Sequence, residues 1–305
     1  MDALTLRDHP PLDRPILVMA FLGWNDAAES ATNAVRYLRR LKPTKHFAEI
    51  DPEDFFVFSE QRPHVRLTLG RQREISWPSM DFSYLQLDEP KSDIVLGLAT
   101  EPHLKWKQFA RLIVQLAKDL DVREVVTLGG LLADTPHTKP VPLTGIASDP
   151  ERAVALGFKP SQYQGPTGIV GVLNDACRRA DIPYVSLWAN VPHYVAGIHN
   201  PRATQALLRQ FSEIYDLDLN LDDLNGRAQR YESEVNNAIK DNPDIVEYVK
   251  RLESAIDEEE DEVPSEPTPR PEIHSSDVLA EVDRLLRNGA LEDTDPMPDD
   301  EAPPS

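Results

Sequence analysis

Cysteines, long apolar runs and a leader-like start are all scarce or missing in this 305-residue sequence. Cys177 is the only cysteine, so no disulfide can form within the chain, and this scarcity fits a reducing compartment. No run of about 18 or more apolar residues occurs, which argues against a transmembrane helix. The first residues show no basic segment followed by an apolar one, so no signal peptide is predicted. These absences predict a cytoplasmic protein without a membrane span.

Acidic residues outnumber basic ones by 52 to 32, and their distribution matters more than their number. The net charge is −20, and residues 257–305 contribute −14 of it through seventeen acidic and three basic residues. The remaining 256 residues therefore carry only −6. Because a nucleic-acid-binding protein needs a basic stripe, we do not expect a nucleic acid among the partners.

The sequence lacks the local motifs of common catalytic and cofactor sites. It has neither a glycine-rich dinucleotide loop nor a phosphate-binding P-loop, so no nucleotide cofactor is expected. A nucleophile elbow of the G-x-S-x-G type is absent as well. The eight histidines are scattered without an H-x-x-x-H pair, so no metal site is predicted.

Four apolar runs predict strands that are buried on both faces of a sheet. They are Ile16–Leu22, Ile94–Leu98, Val122–Leu128 and Tyr184–Val191. Amphipathic segments alternate with them and predict helices from about Asn25 to Pro43 and over 104–120, 167–180 and 201–215. This alternation predicts a three-layer α/β/α domain over residues 1–215, with a mainly parallel sheet in which the four strands are adjacent.

Three other regions follow different patterns. Short apolar runs separated by turn residues predict a sheet extension or hairpin, with strands at Phe47–Ile50, Phe55–Phe58, Val65–Leu69 and Glu74–Trp77. Residues 216–256 predict a two-helix appendage, because helical apolar spacing runs over Asp222–Asp241 and Asp244–Ala255 and is interrupted by Asn242-Pro243. Residues 257–305 contain eight prolines and no aromatic residue, which predicts a disordered acidic tail. Within this tail, residues 276–287 have a cap and an apolar stripe that predict one short helix.

Polar residues and glycines follow the predicted strands, where a parallel sheet places its ligand crevice. The candidate pocket residues are Asn25, Asp26, Glu29, Gly129, Gly130, His137, Thr167, Asn190 and His193. Most have a simpler structural interpretation that stays open beside the functional one. Asn25 or Asp26 would cap the next helix, as Thr167 would cap a later one. Gly129 and Gly130 would form a tight turn.

The two histidines are the candidates for chemistry. His137 and His193 each lie in a proline-flanked loop after a strand, where an imidazole near neutrality can act as general acid or base. They would then meet Asp26 and Glu29 at the edge of the sheet. The competing interpretation is that both anchor their loops through hydrogen bonds. Cys177 lies within a predicted helix, which indicates a buried, inert thiol.

Several short, uncommon sequence motifs occur in a characteristic order: Gly23-Trp24-Asn25-Asp26, Leu128-Gly129-Gly130-Leu131, Gln164-Gly165-Pro166-Thr167-Gly168 and Trp188-Ala189-Asn190-Val191-Pro192-His193. From about Pro15 to about Leu252 the chain resembles the proteasome assembly chaperone 2 family, in its actinobacterial branch. The resemblance implies an α/β/α fold similar to that of nucleoside phosphorylases and hydrolases, self-association, and a protein partner. Family members that bind proteasomes dock through a C-terminal hydrophobic–Tyr–any tripeptide. This sequence ends Ala302-Pro303-Pro304-Ser305, so docking by that route is not expected.

Two functions are therefore compared. The first is a binding or assembly module that forms a homo-oligomer and presents its appendage and tail to a protein partner. The alternative is a small-molecule hydrolase or phosphorylase with a polar site at the carboxyl edge of the sheet, and an ATP-dependent ligase is a weaker third. A concave pocket shared by the two histidines, Asp26 and Glu29 would favour the enzyme. Aromatic side chains filling that place would favour the module.

Overall fold

The computed structural model describes residues 3–67, 72–88, 91–159 and 163–261. Its strands are β1 (Leu4–Leu6), β2 (Ile16–Leu22), β3 (Lys45–Ile50), β4 (His64–Leu67), β5 (Arg73–Ser76), β6 (Met80–Asp88), β7 (Lys91–Thr100), β8 (Glu124–Ala133), β9 (Leu143–Ala147) and β10 (Tyr184–Pro192). Its helices are α1 (Ser30–Leu41), α2 (Trp106–Asp119), α3 (Pro150–Ala155), α4 (Ile169–Arg179), α5 (Pro201–Tyr215), α6 (Asp222–Ile239) and α7 (Pro243–Asp261).

The predicted inner strands are adjacent in one sheet. The strand order is β1-β3-β6-β7-β2-β8-β10-β9. The four inner strands, β7, β2, β8 and β10, run parallel, as their doubly apolar sequences predicted. Antiparallel strands extend the sheet on both sides. The carboxyl ends of the four inner strands therefore meet at the same edge.

Helices cover both faces of the sheet, which confirms the three-layer prediction. Alternate residues of β2 point to opposite faces, so Ile16, Val18 and Ala20 pack with α1 and α5. Leu17, Met19 and Phe21 pack with α2 and α4 on the other face. A strand with polar residues on either face could not fill both layers, because each unpaired polar group would be buried without water.

The last two helices pack against the end of β10. Tyr231 and Val235 of α6 and Tyr248 of α7 form a small apolar cluster with Tyr194 and Val195, which follow β10 directly. Helix α7 continues to Asp261, five residues beyond the predicted boundary at 256. The rest of the predicted tail, including its helix at 276–287, lies outside the described residues. None of the described helices has the length and apolarity to cross a membrane.

The region between β3 and β7 differs from the prediction in part. Strands β4 and β5 form the expected hairpin, and the described part of Val65–Leu69 ends at Leu67. The strand predicted at Phe55–Phe58 is wrong: a short 3₁₀ turn over Pro52–Asp54 precedes a loop that buries Phe55 against the Phe109 ring. Strands β1 and β6 were not predicted. Both lie on the side where the sheet turns antiparallel.

Candidate functional site

Asp26 organises the junction between β2 and α1. Its carboxylate accepts hydrogen bonds from the backbone N–H of Ala31 at 2.7 Å and from the N–H and hydroxyl of Thr32. It thus caps α1, as the simpler interpretation predicted, because it satisfies donors that a helix start leaves free. The side chain is 7% exposed, and burial raises the Asp26 pKa to about 6.

The junction is held in an unusual backbone conformation. Ala28 and Glu29 are consecutive non-glycine residues with φ of 52° and 50°, a region that costs energy for residues with a Cβ. The backbone carbonyl of Ala28 accepts a hydrogen bond from the Asn200 N–H at 3.2 Å, and the backbone carbonyl of Asn25 accepts one from the Gly130 N–H at 2.9 Å. The Glu29 side chain turns outward to pair with Arg36 at 3.1 Å. Contacts from β8 and from the N-cap of α5 therefore fix this turn.

Glu101, which follows β7, occupies the N-terminus of α4. Its Oε1 accepts the Ile169 N–H at 2.7 Å and the Asn25 side-chain N–H at 2.8 Å. A helix N-terminus attracts anions, and this carboxylate already fills that position. The cap predicted for Thr167 is wrong, since Gly168 is the N-cap of α4 and the Thr167 hydroxyl lies 3.5 Å from the Gly168 carbonyl. Local sequence signals could not reveal a cap 68 residues away from its helix.

Gly129 and Gly130 do not form a turn. Both continue β8, which is paired with β10 through this stretch. A Cβ on Gly129 would overlap the Trp188 ring, and one on Gly130 would overlap the Ser30 hydroxyl and the Ala27 backbone. The glycines are needed for close approach of neighbouring elements, which is the second common reason for glycine in a strand.

His137 is a buried anchor, 3% exposed. The Tyr194 hydroxyl accepts the His137 backbone N–H at 2.8 Å and lies 2.8 Å from Nδ1, while Nε2 lies 3.2 Å from Asn236 Oδ1. Because that amide oxygen only accepts, Nε2 carries the proton and Nδ1 receives the tyrosine proton. Burial lowers the His137 pKa below its ordinary value. The imidazole is therefore neutral at pH 7 with both nitrogens engaged.

His193 has a similar arrangement on the other side of Tyr194. Its Nδ1 lies 3.2 Å from Asp134, and its Nε2 lies 3.3 Å from the Tyr248 hydroxyl. The His193 ring packs edge-on against both tyrosine rings, with centroids 5.7 to 5.9 Å apart. Tyr248 belongs to α7, and burial raises its pKa to about 12. The Tyr194 ring therefore lies between the two histidines, and Tyr248 packs against His193 and Tyr194.

Further contacts hold the appendage over this edge. Arg202 of α5 donates to the carbonyls of His137 and Lys139 and pairs with Glu232 of α6 at 2.6 Å. Thr138 bonds to Glu253 of α7. Beneath them lies a cavity of about 10 Å³, lined in part by Asn190, His137 and Tyr231, which is room for one water. The arrangement can fix loops, but this cavity cannot hold a substrate.

The structure thus divides eight of the nine candidate residues into two groups. Asn25, Asp26, Glu29, Gly130 and Thr167 lie around the strained turn and the start of α4. His137, Asn190 and His193 lie beneath the appendage, and Gly129 packs against Trp188. Sequence reasoning missed Glu101, Tyr194 and Tyr248 as members. Glu101 had the same signal as the others, a polar residue just after an inner strand.

Only one group of metal-type side chains is found among the described residues, at the opposite side of the sheet. His46, Glu49 and Asp81 place their ligand atoms within 4.8 Å of one another. Arg7 donates to both carboxylate oxygens of Glu49 at 2.9 Å. A guanidinium therefore already holds the carboxylate that a cation would need.

The fold and the carboxyl edge of the sheet define the class of protein: a three-layer α/β/α protein in which helices α6 and α7 cover the carboxyl end of β10. The PAC2 family model matches residues 20–239, which is more than half of the chain, and the chain belongs to the PAC2 family.

Solved structures agree with this assignment. A PAC2 family protein from Streptomyces avermitilis is 42% identical, with a TM-score of 0.73, over 77% of this chain and 99% of that one. A Mycobacterium tuberculosis protein described as a proteasome-assembly chaperone homologue is 40% identical, with a TM-score of 0.71 and the same coverage. A second M. tuberculosis protein, of unknown function, is 25% identical, with a TM-score of 0.77, over 85% and 90% of the two chains. No curated protein matches the chain.

Proposed function

We propose that this chain is a chaperone-like assembly protein that binds a protein partner and works as a homo-oligomer in the cytoplasm. The observation that carries the proposal is the filled edge of the sheet, where Tyr194 and Tyr248 occupy the space that a substrate would need. Membership of the PAC2 family supports it, as does the 40% identity to a protein described as a proteasome-assembly chaperone homologue. No observation on the described edge favours the hydrolase or phosphorylase alternative.

The appendage is the proposed partner-binding part, with residues 1–215 as its scaffold. A shallow depression of about 270 Å³ lies on α7, lined by the exposed residues Glu247, Lys250, Arg251, Ser254 and Ala255. Such an open surface, bordered by the charged side chains of Glu247, Lys250 and Arg251, suits a protein partner better than a small molecule, which needs a concave pocket. Proteasome subunits are the first partner to test, and the site nominated on this chain is the depression on α7.

The test mixes the full chain with purified actinobacterial proteasome α-subunits and follows complexes by size-exclusion chromatography with light scattering. We expect the chain alone to elute at a multiple of its 34.3 kDa mass and to form a mixed complex with the subunits. A Ser254→Arg/Ala255→Arg variant should lose the complex, because two long side chains fill the depression. The matched control, Gln229→Arg/Ser233→Arg, adds the same charges to exposed positions of α6 and should keep it. Absence of any complex at micromolar concentrations would contradict the proposal.

A further inference from the structure

The hairpin formed by β4 and β5 exposes an apolar face. Val65 lies opposite Ile75, and Leu67 lies on the same face, because directly paired residues and every second residue share one side of a sheet. These three side chains are 58 to 69% exposed. Trp77, at the base, is 47% exposed and contacts Phe58 edge-on at 4.9 Å. A two-stranded hairpin is marginally stable in water on its own, so an uncovered apolar face here calls for a covering element.

The hairpin segment is also positively charged, although the protein as a whole is acidic. Residues 62–77 contain four arginines and one glutamate. Arg73 lies on the apolar face, opposite Leu67, whereas Arg66 lies on the other face, opposite Glu74. The whole chain carries −20, so a net of +3 over sixteen residues stands out against the rest. A covering segment of suitable chemistry combines apolar side chains with negative charge.

One segment of this chain has that combination. Residues 276–287 have the apolar stripe Val278, Leu279, Val282, Leu285 and Leu286, and residues 288–301 follow with six acids and no base. Over residues 276–301 the net charge is −7. This segment lies beyond the described end of α7 at Asp261.

We propose that residues 276–301 of the chain bind the apolar, basic face of its own β4–β5 hairpin. The stripe of 276–287 covers Val65, Leu67 and Ile75, and the acidic run lies against Arg73 on the same face and against Arg62, which precedes β4 in the chain. The inference does not depend on the proposed function, since it rests on the exposed face and on charge complementarity alone. It assigns the tail a docking place and the apolar face of the hairpin a cover.

The connection is long enough for this contact. The 14 residues from 262 to 275 span up to about 45 to 50 Å when extended. A folded body of this size has a radius of gyration of about 18 Å, so the tether reaches most of the surface of its own molecule. Tethering also gives the segment an effective concentration on the order of millimolar, which a separate acidic protein rarely reaches.

Hydrogen exchange measured by mass spectrometry on the full chain tests the proposal. A Leu279→Asp/Leu286→Asp variant removes the stripe, and we expect amides of His64–Leu67 and Arg73–Ser76 to exchange about tenfold faster than in the wild type, equivalent to about 1.4 kcal/mol. The control, Ala290→Asp/Leu291→Asp, adds the same charge outside 276–287 and should leave the hairpin protected.

A reciprocal pair of variants separates docking from a local effect. Arg62→Glu/Arg73→Glu should speed exchange in residues 276–287 as well as in the hairpin, because both sides of one contact open together. Lys107→Glu/Arg111→Glu makes the same charge change on exposed positions of α2 and should change neither. Equal hairpin exchange in the wild type and the stripe variant would overturn the proposal and leave the face to a second copy or another protein. Slow exchange that persists in the stripe variant but is lost on tenfold dilution would overturn it in favour of a second copy.

Discussion

Replacing Asp26 with asparagine should remove a pH dependence of stability that the wild-type chain shows between about pH 4 and pH 6. Burial raises the Asp26 pKa from 3.8 to about 6 in the folded chain. The folded state therefore binds a proton more tightly than the unfolded state in this window, and the free energy of unfolding falls as the pH rises through it. Each pKa unit corresponds to about 1.36 kcal/mol, so the full effect is about 3 kcal/mol.

The asparagine keeps the cap while removing the charge. Its Oδ1 can still accept the N–H groups of Ala31 and Thr32, and its Nδ2 can donate to the Thr32 hydroxyl. Urea unfolding of both proteins at pH 4, 5, 6 and 7 measures the difference in free energy of unfolding, in which the other titrating groups cancel. We expect the variant to gain about 2 to 3 kcal/mol relative to the wild type between pH 4 and pH 7.

An Asp175→Asn variant is the control. That carboxylate is exposed, and its bonds to Arg178 and Arg179 lower its pKa, so the relative gain with rising pH should be absent. The reasoning would be refuted if the difference in free energy of unfolding between Asp26→Asn and the wild type did not change with pH. Asp26 would then titrate like a hydrated carboxylate, and the junction after β2 would be open to water.

Two further substitutions test the packing. Gly129→Ala should lower the free energy of unfolding by about 1 to 3 kcal/mol because its Cβ overlaps the Trp188 ring. The control, Gly226→Ala, lies in α6 with open space around it and should raise the free energy of unfolding by up to about 1 kcal/mol. Equal effects of the two substitutions in urea titrations would contradict the close approach of β8 and β10. Tyr194→Phe should cost about 1 to 3 kcal/mol because the hydroxyl bonds both the backbone and the ring of His137, and a variant as stable as the wild type in the same titration would show that His137 is not anchored there.

The inner strands of the sheet could be predicted because their apolar composition reflects their burial. Ile16–Leu22 is apolar at every position, and only a strand buried on both faces uses such a run fully. Periodicity likewise identified α2 and both appendage helices. Strand β6 was missed: Met80, Phe82 and Tyr84 alternate, but Leu85 breaks the pattern because β6 is buried on both faces at that point.

The site was harder to predict because its contacts join residues distant in sequence. A pair of glycines indicates either a turn or a close approach, and only the position of Trp188 decides between them. The cap that Glu101 provides to α4 and the bond between His137 and Asn236 also depend on how elements are packed. The apolar stripes of α6 and α7 showed that these helices cover something, but not that they cover two histidines.

The hairpin between β3 and β6 has a consequence for how this protein can change over evolutionary time. Ile50 of β3 lies opposite Met80 of β6, so the chain leaves the sheet and re-enters it at neighbouring positions. Phe58 and Trp77 contact each other at the base of the excursion. The segment between Phe58 and Trp77 can be shortened, lengthened or exchanged at a small cost in loop entropy, without moving the register of the sheet. The hairpin can therefore diverge between related chains while the scaffold stays the same.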